Sequence, residues 1–443
     1  MMRHHVGMAF ATLLGCSLFV SAVSRAQQQK AMDNVTRGRI SDMLRTAHDE
    51  VQKHYYDPNF HGLDWDARYK KYAAALANIQ DPGEGLRVVA AYLAGLKDSH
   101  TYFDPPSRVN RIDLGYQISL VGDSCFVTQI RPKTDAEKKL HIGDQILSVN
   151  GYTTERKDFQ DLIYMIEVLV PQRSLELGLR SPDGSERMAA VDSIVIPERA
   201  LLDFSQPDNE IYDLVRQIEN EDRVMSTRWV EREDATIIKM PEFNLDMNEV
   251  EKAIGVASKH KALILDLRGN PGGYGNTLKW MVGEVFDHEV KIGDQVGRKN
   301  TKPMIAKPHG KRFDGKLIVL VDGGSASASE LFARVVQLEH RGTVIGDTTA
   351  GAVMEAQDYS ESAGTDSVIP YGLSVTSSDL IMSDGKSLEN VGVTPDELIL
   401  PTAADLAAGR DPVLARAAEL AGIKLDPVAA GKLFPFEWMP LVR

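Results

Sequence analysis

The spacing of apolar positions divides the chain into stretches of different periodicity. Between residues 37 and 56, Ile40, Met43, Leu44, Ala47 and Val51 recur at helical spacing, and Leu86, Val89, Leu93 and Leu96 repeat the pattern, which predicts an N-terminal helical region. The second helix runs out at Lys97-Asp98, so Ser99-His100-Thr101 opens a loop that Pro105-Pro106 closes. From about residue 114 to 197 short β-type runs take over, at 117–121, 125–130, 145–149 and 175–179, divided by glycine-containing turns and joined by a helix near 158–169. Beyond Pro197, apolar runs rich in β-branched residues at 236–240, 262–267, 317–321 and 343–345 alternate with helical stretches at 247–257 and 330–338. Runs that are apolar at every position suit a covered, mostly parallel sheet. The fold class is therefore α/β and multidomain. The expected units are a helical domain at 30–110, a small β-rich module at 111–197 and an α/β core at 198–443.

The first residues follow none of these patterns. Arg3, His4 and His5 precede an apolar run over 6–23, and Ser24-Arg25-Ala26 offers small residues before Gln27. This predicts a secretory signal peptide, residues 1–26, removed after Ala26. A membrane anchor is the other reading, but a spanning helix needs about twenty strongly apolar residues and this run holds several small ones. Leu13-Leu14-Gly15-Cys16 loosely resembles a lipidation signal, although apolar residues continue past Cys16. Without the leader only Cys125 remains of two cysteines. No intramolecular disulfide can then form, and Cys125, in an apolar run, reads as a packed small hydrophobe.

At 443 residues the chain is too long for one ordinary core. Its 43% hydrophobic and 26% charged residues are those of a folded protein. The formal charge of −13 argues against a nucleic-acid partner, which calls for concentrated Lys and Arg. No histidine pair has the spacing of a metal motif such as His-Glu-x-x-His, so no metal or other cofactor is expected.

Candidate chemistry gathers in loops that follow strands of the core, where open α/β sheets place their sites. Asp266-Leu267-Arg268-Gly269-Asn270-Pro271-Gly272-Gly273 leaves a strand through glycines whose N–H groups are unhindered, as an oxyanion hole requires. Gly323-Gly324-Ser325-Ala326-Ser327-Ala328-Ser329-Glu330 places serines at a helix N-terminus, where free N–H groups favour developing negative charge. Ser327 or Ser329 could equally cap that helix.

Taken together, these two loops resemble those of the carboxyl-terminal-processing proteases and their tricorn-core relatives, and the likeness extends to Glu389-Asn390-Val391-Gly392-Val393-Thr394-Pro395-Asp396. The resemblance covers about residues 35 to 400. Within it Gly143-Asp144-Gln145-Ile146-Leu147-Ser148-Val149-Asn150-Gly151 looks like the signature strand and turn of a PDZ domain, and Leu114-Gly115-Tyr116-Gln117 like the loop that receives a peptide's terminal carboxylate. The family implies a ClpP/crotonase-like catalytic core, Ser327 as nucleophile, and an oxyanion hole from Ala328 with Gly272 or Gly273.

The sequence departs from the lysine-dependent members at the base. Ala352, in Gly351-Ala352-Val353, stands where their lysine would be. The tricorn-type members resemble it better: there a Ser-His pair from the helical region and a distant glutamate complete a tetrad. Here the pair is Ser99-His100 and the glutamate Glu389. His100 would take the proton of Ser327, Ser99 would orient the imidazole, and Glu389 would hold Ser99. The implied function is an exported serine peptidase whose partners are polypeptides or peptide C-termini. Two alternatives stay open: a non-enzymatic carrier of peptides or apolar ligands, and an esterase or amidase acting on a small molecule.

Overall fold

The computed structural model describes residues 32–108, 110–197, 224–364 and 368–441. The leader read at 1–26, with Cys16, lies outside the described residues. Among those described, no helix is long and apolar enough to cross a membrane.

The chain begins with α1 (Asn34–His54), α2 (Trp65–Leu76) and α3 (Pro82–Leu93). Each starts at an aspartate, Asp33, Asp64 or Asp81, whose carboxylate accepts a free N–H of the first turn. The apolar stripe of α1 is buried as its spacing predicts. Helix α2 was not read from the sequence, because it buries only its terminal Trp65 and Leu76 and shows no stripe. After α3 a turn ends at Lys97, in the left-handed region at φ 57°, and the chain passes through Ser99-His100 into β1 (Tyr102–Asp104).

The β-rich module follows, with β2 (Tyr116–Val121), β3 (Ser124–Ile130), β4 (Gln145–Val149), β5 (Ser174–Arg180) and β6 (Glu186–Asp192) in spatial order β2–β3–β4–β5–β6, all antiparallel. Cys125, Val127, Ile146, Val149, Leu175, Leu177 and Leu179 form its own core. Burial pushes the Cys125 thiol up to about 11, as suits a packed residue rather than a reactive one. Asn150 and Gly151 turn the chain at φ 49° and 82°, the paired positive φ of a tight hairpin. The expected helix runs as Phe159–Ile163 and then widens into a π-wound turn over Tyr164–Leu169.

The C-terminal half contributes β7 (Arg228–Arg232), β8 (Ala235–Lys239), α4 (Met247–Ala257), β9 (Ala262–Asp266), α5 (Gly275–Val285), β10 (Val290–Gly297), β11 (Thr301–Ala306), β12 (Lys316–Val321), α6 (Ala328–Leu338), β13 (Gly342–Gly346), β14 (Met354–Ala363), β15 (Ile369–Met382), β16 (Glu397–Leu398) and α7 (Pro412–Ala421). One sheet has the order β7–β8–β9–β12–β13–β16 and is parallel from β8 onward. Both its faces are covered. Leu263, Leu265, Leu317 and Val319 pack under α4, α5 and α6, while Ala262, Ile264, Ile318 and Leu320 pack under Leu414 and Ala418 of α7. This is why those strands run apolar on both faces from 262 to 265 and from 317 to 321.

A second sheet, antiparallel throughout, was not anticipated. It has the order β1–β15–β10–β11, with β14 also paired to β15. The N-terminal helices share a core with it: Leu44, Val51, Tyr92 and Leu96 cluster with Phe103 of β1 and with Tyr371, Leu373 and Val375 of β15. The helical region is thereby fastened to the C-terminal half, and Ser99-His100 is carried to its sheet.

Candidate active site

Ser327 stands between β12 and α6, half-buried, with φ 53° and ψ −116°. A serine rarely adopts that conformation, and such strain at a strand-to-helix turn is how a reactive hydroxyl is pushed out of the backbone. Its neighbours hold it there. Ser325 Oγ donates to Leu267 O at 2.8 Å and Ser329 Oγ to Asn270 O at 2.9 Å, both buried. These two serines tie the Ser327 loop to the glycine loop. The Ser327 N–H donates to Ala352 O at 2.9 Å and to Glu330 Oε2 at 3.0 Å. Glu330 is buried and also accepts from Ala352 N at 2.9 Å, Gly351 N at 2.8 Å and Thr349 Oγ1 at 2.5 Å. Burial raises its carboxyl above the usual range while these donors pull the other way. Ser327 is the N-cap of α6, and Glu330, three residues on, organises the start of the helix with it, a role of Glu330 that the sequence did not disclose.

The glycine loop is organised by Asn270, fully buried, whose Nδ2 donates to Met240 O at 2.8 Å and whose Oδ1 accepts from Gly272 N at 2.8 Å. Gly272 has φ 103°, and a Cβ there would lie 2.6 Å from Ser327 Cβ and 3.0 Å from Ala328 N. Only glycine lets the two loops approach so closely. Because the Gly272 N–H is spent on Asn270, it is not a free donor. Gly273 bridges Phe243 through its neighbours, Phe243 N to Gly272 O and Tyr274 N to Phe243 O. Its own N–H and that of Ala328 donate to no group among the described residues. Of the alternatives left by the sequence, Gly273 and Ala328 have their donors free.

Ser99, His100 and Glu389 form one hydrogen-bonded chain. Ser99 Oγ lies 2.7 Å from His100 Nδ1 and 2.9 Å from Glu389 Oε2, and Ser99 N donates to Glu389 Oε1 at 2.7 Å. Val353 N, next to the residue that bonds Ser327, also donates to Glu389 Oε2, at 2.8 Å. The proton positions follow. An ionised carboxylate only accepts, so the Ser99 hydroxyl gives Glu389 its hydrogen and must accept from His100 Nδ1–H. His100 Nε2 is then the nitrogen with the lone pair. Burial lowers the His100 pKa and keeps the ring neutral, whereas burial pushes Glu389 up to about 7 against the pull of Val353 and Ser99. Asp98, given no role in the sequence reading, fixes the turn: its Oδ1 accepts from His100 N at 3.1 Å, Thr101 N at 2.7 Å and Thr376 Oγ1 at 2.7 Å. The Ser327 hydroxyl makes no hydrogen bond among the described residues. Catalytic contacts often tighten only around substrate.

In the β-rich module Leu114 and Tyr116 are buried and Gln117 is exposed. Gly115 has φ 78°, but its N–H already donates to Asp113 Oδ1 at 2.8 Å. Arg131 pairs with Asp113 at 2.7 Å, donates to Met439 O at 2.9 Å and stacks over Trp438. The end of the chain thus lies against this loop.

Residues 234–399 match the model of Peptidase family S41, residues 40–94 the Tricorn protease C1 domain and residues 106–165 the PDZ domain. The chain is therefore similar over these segments to Peptidase family S41, preceded by segments similar to the Tricorn C1 and PDZ domains. It is 24% identical over 403 residues to a tricorn protease homolog of Streptomyces coelicolor, covering 85% of this chain and 32% of that one. Over 154 residues it is 33% identical to a carboxy-terminal-processing protease of Bartonella bacilliformis, 32% of this chain and 31% of that one. The chain thus spans about a third of the length of these two relatives. It is 22% identical to a carboxyl-terminal-processing protease of Synechocystis over 420 residues, covering 90% and 88% of the two chains. The fold is shared with mature CPAF, at a TM-score of 0.61 and 17% identity over 85% of this chain and 95% of that one.

Proposed function

We propose that the chain is a serine-type peptidase that cleaves polypeptides through an acyl-enzyme on Ser327. His100 Nε2 takes the hydroxyl proton as Ser327 Oγ bonds to the scissile carbonyl carbon. The N–H groups of Gly273 and Ala328 receive the charge that develops on the carbonyl oxygen. His100 then gives its proton to the leaving amine as the C–N bond breaks, and a water deprotonated by the same nitrogen hydrolyses the ester. Ser99 keeps the ring in the required tautomer, and Glu389 stabilises the imidazolium through it. The observation that carries this reading is the chain Glu389–Ser99–His100, whose acceptor-only end leaves Nε2 unprotonated. Ala352 offers no amine, which disfavours a lysine base.

The finer parts of the reading accompany this one. The PDZ-like module at 111–197 receives the C-terminal end of a polypeptide as an added strand beside 114–117, with the helical domain at 30–110 and the catalytic core at 198–443 around it. The leader at 1–26 directs export, so that the enzyme works outside the cytoplasm.

Labelling with a fluorophosphonate probe, read by intact mass, tests the proposal. The folded wild type gains one adduct, and Ser327→Ala and His100→Ala gain none. A folded wild type that takes up no probe overturns the peptidase reading in favour of a peptide or apolar-ligand carrier.

A further inference from the structure

A second site lies at the other end of α5. Glu284, in its last turn, has a side chain only 1% exposed, and neither carboxylate oxygen accepts a hydrogen bond among the described residues. Beside it, His309 Nε2 donates to Trp280 O at 3.1 Å. A carbonyl only accepts, so Nε2 carries a proton and Nδ1 is the nitrogen turned toward the carboxylates. Nδ1 lies 3.1 Å from Glu284 Oε1 and 3.8 Å from Oε1 of the partly exposed Glu251 on α4. The Nδ1 atom is likewise buried without a hydrogen bond. The ligand atoms of the three residues all lie within 4.8 Å of one another.

The backbone is shaped around this cluster. A Cβ on Gly310, at φ 64°, would sit 1.9 Å from Glu284 Oε1, and one on Gly283 would sit 2.2 Å from Lys307 O. The loop after β11 is thus pressed onto α5, anchored by Phe313 N to Glu284 O at 2.8 Å. A buried carboxylate without donors is costly unless a cation meets it.

We propose that Glu251, Glu284 and His309 bind a zinc ion. One nitrogen and two carboxylate oxygens at about 2.0–2.2 Å from the metal would stand roughly 3.3 Å apart in a tetrahedron, near the two separations seen. The carbonyl that orients His309 through its far nitrogen is the usual second partner of a ligating imidazole. A cation at the C-terminal end of α5 also complements the helix dipole. The role is that of a clamp, not of chemistry at Ser327: the 272–273 loop feeds the opposite end of α5, roughly 16 Å away for a helix of this length. Sequence spacing hides the site, because its ligands come from two helices and a loop.

The test is zinc titration of the full chain, stripped by chelator, against a chromophoric competitor, together with thermal unfolding. The wild type is expected to take up one equivalent and to unfold at higher temperature with zinc. Glu284→Gln and His309→Asn should each lose that equivalent and the zinc-dependent shift, and Glu251→Gln should weaken binding. The inference is overturned if the folded wild type binds no stoichiometric zinc, or if the equivalent survives in Glu284→Gln or His309→Asn. If one variant fails to fold, the wild-type titration and the other variant decide.

Discussion

Glu389 and Glu284 each stand near a histidine, and the surroundings treat them in opposite ways. Glu389 reaches His100 through the Ser99 hydroxyl, and Ser99 N, Ser99 Oγ and Val353 N supply its oxygens with donors. Glu284 meets His309 directly at 3.1 Å and has no donor. The chemical pair is the same. An interposed hydroxyl makes the first pair directional, so each proton has one place to be. The direct contact of the second leaves both partners buried without a hydrogen bond, a place suited to a cation. Glu330, with four donors, shows how fully this fold can satisfy a buried carboxylate where no ligand is involved.

The sharpest way to break the comparison is to remove the hydroxyl. Ser99→Ala should leave His100 free to exchange tautomers and cut kcat/KM on a peptide substrate by about 10³-fold, with the fold retained by circular dichroism. Ser99→Thr should restore much of the rate. An intact rate in Ser99→Ala would mean that the relay plays no part.

A smaller effect comes from pH. Protonation of Glu389 should remove its hold on Ser99, so kcat/KM should fall about tenfold per unit as pH drops below about 7. In Glu389→Gln that limb should move to the lower pH at which His100 itself titrates, below its ordinary 6.5. Stability runs the other way. Glu389 binds its proton more tightly folded than unfolded, so its contribution is whole below 4.5 and is lost as pH rises through about 7. Denaturant melts across that window should show a decline in the wild type that Glu389→Gln lacks.

The smallest effect belongs to Glu284. In chelator-treated protein, Glu284→Gln removes a buried charge without donors and should be as stable as the wild type or more stable by about 1 kcal/mol in urea unfolding. A loss of stability would show that the pair with His309 is already satisfied.

The parts of the fold that were legible in the sequence are those whose burial is complete. Strands β8, β9 and β12 are dominated by consecutive apolar residues, and Asn150-Gly151 announces its own turn. The antiparallel sheet was hidden for the converse reason. In β14, Glu355, Gln357, Asp358, Ser360 and Glu361 make a half-exposed strand look like a loop, and β11 contains Pro303, which argues against a strand until its partner is known. At the site, Ser99, His100, Ser327 and Glu389 stood out through family likeness. Asp98, Asn270 and Glu330 did not: the first two accept N–H groups of their own turns and Glu330 gathers those of 351 and 352, contacts that leave no mark in the pattern of apolar positions.

The pairing of β1 with β15 carries a consequence for the life of the protein. It joins the first strand made to one of the last, and only when it closes does His100 come to lie in the same body as Glu389. A chain still emerging from the ribosome, or threaded through a translocation pore, holds the imidazole but not the carboxylate that fixes its proton. On the proposed mechanism the nascent polypeptide would be inert toward its neighbours until that pairing closes, and the order of synthesis would do the work of a removable propeptide.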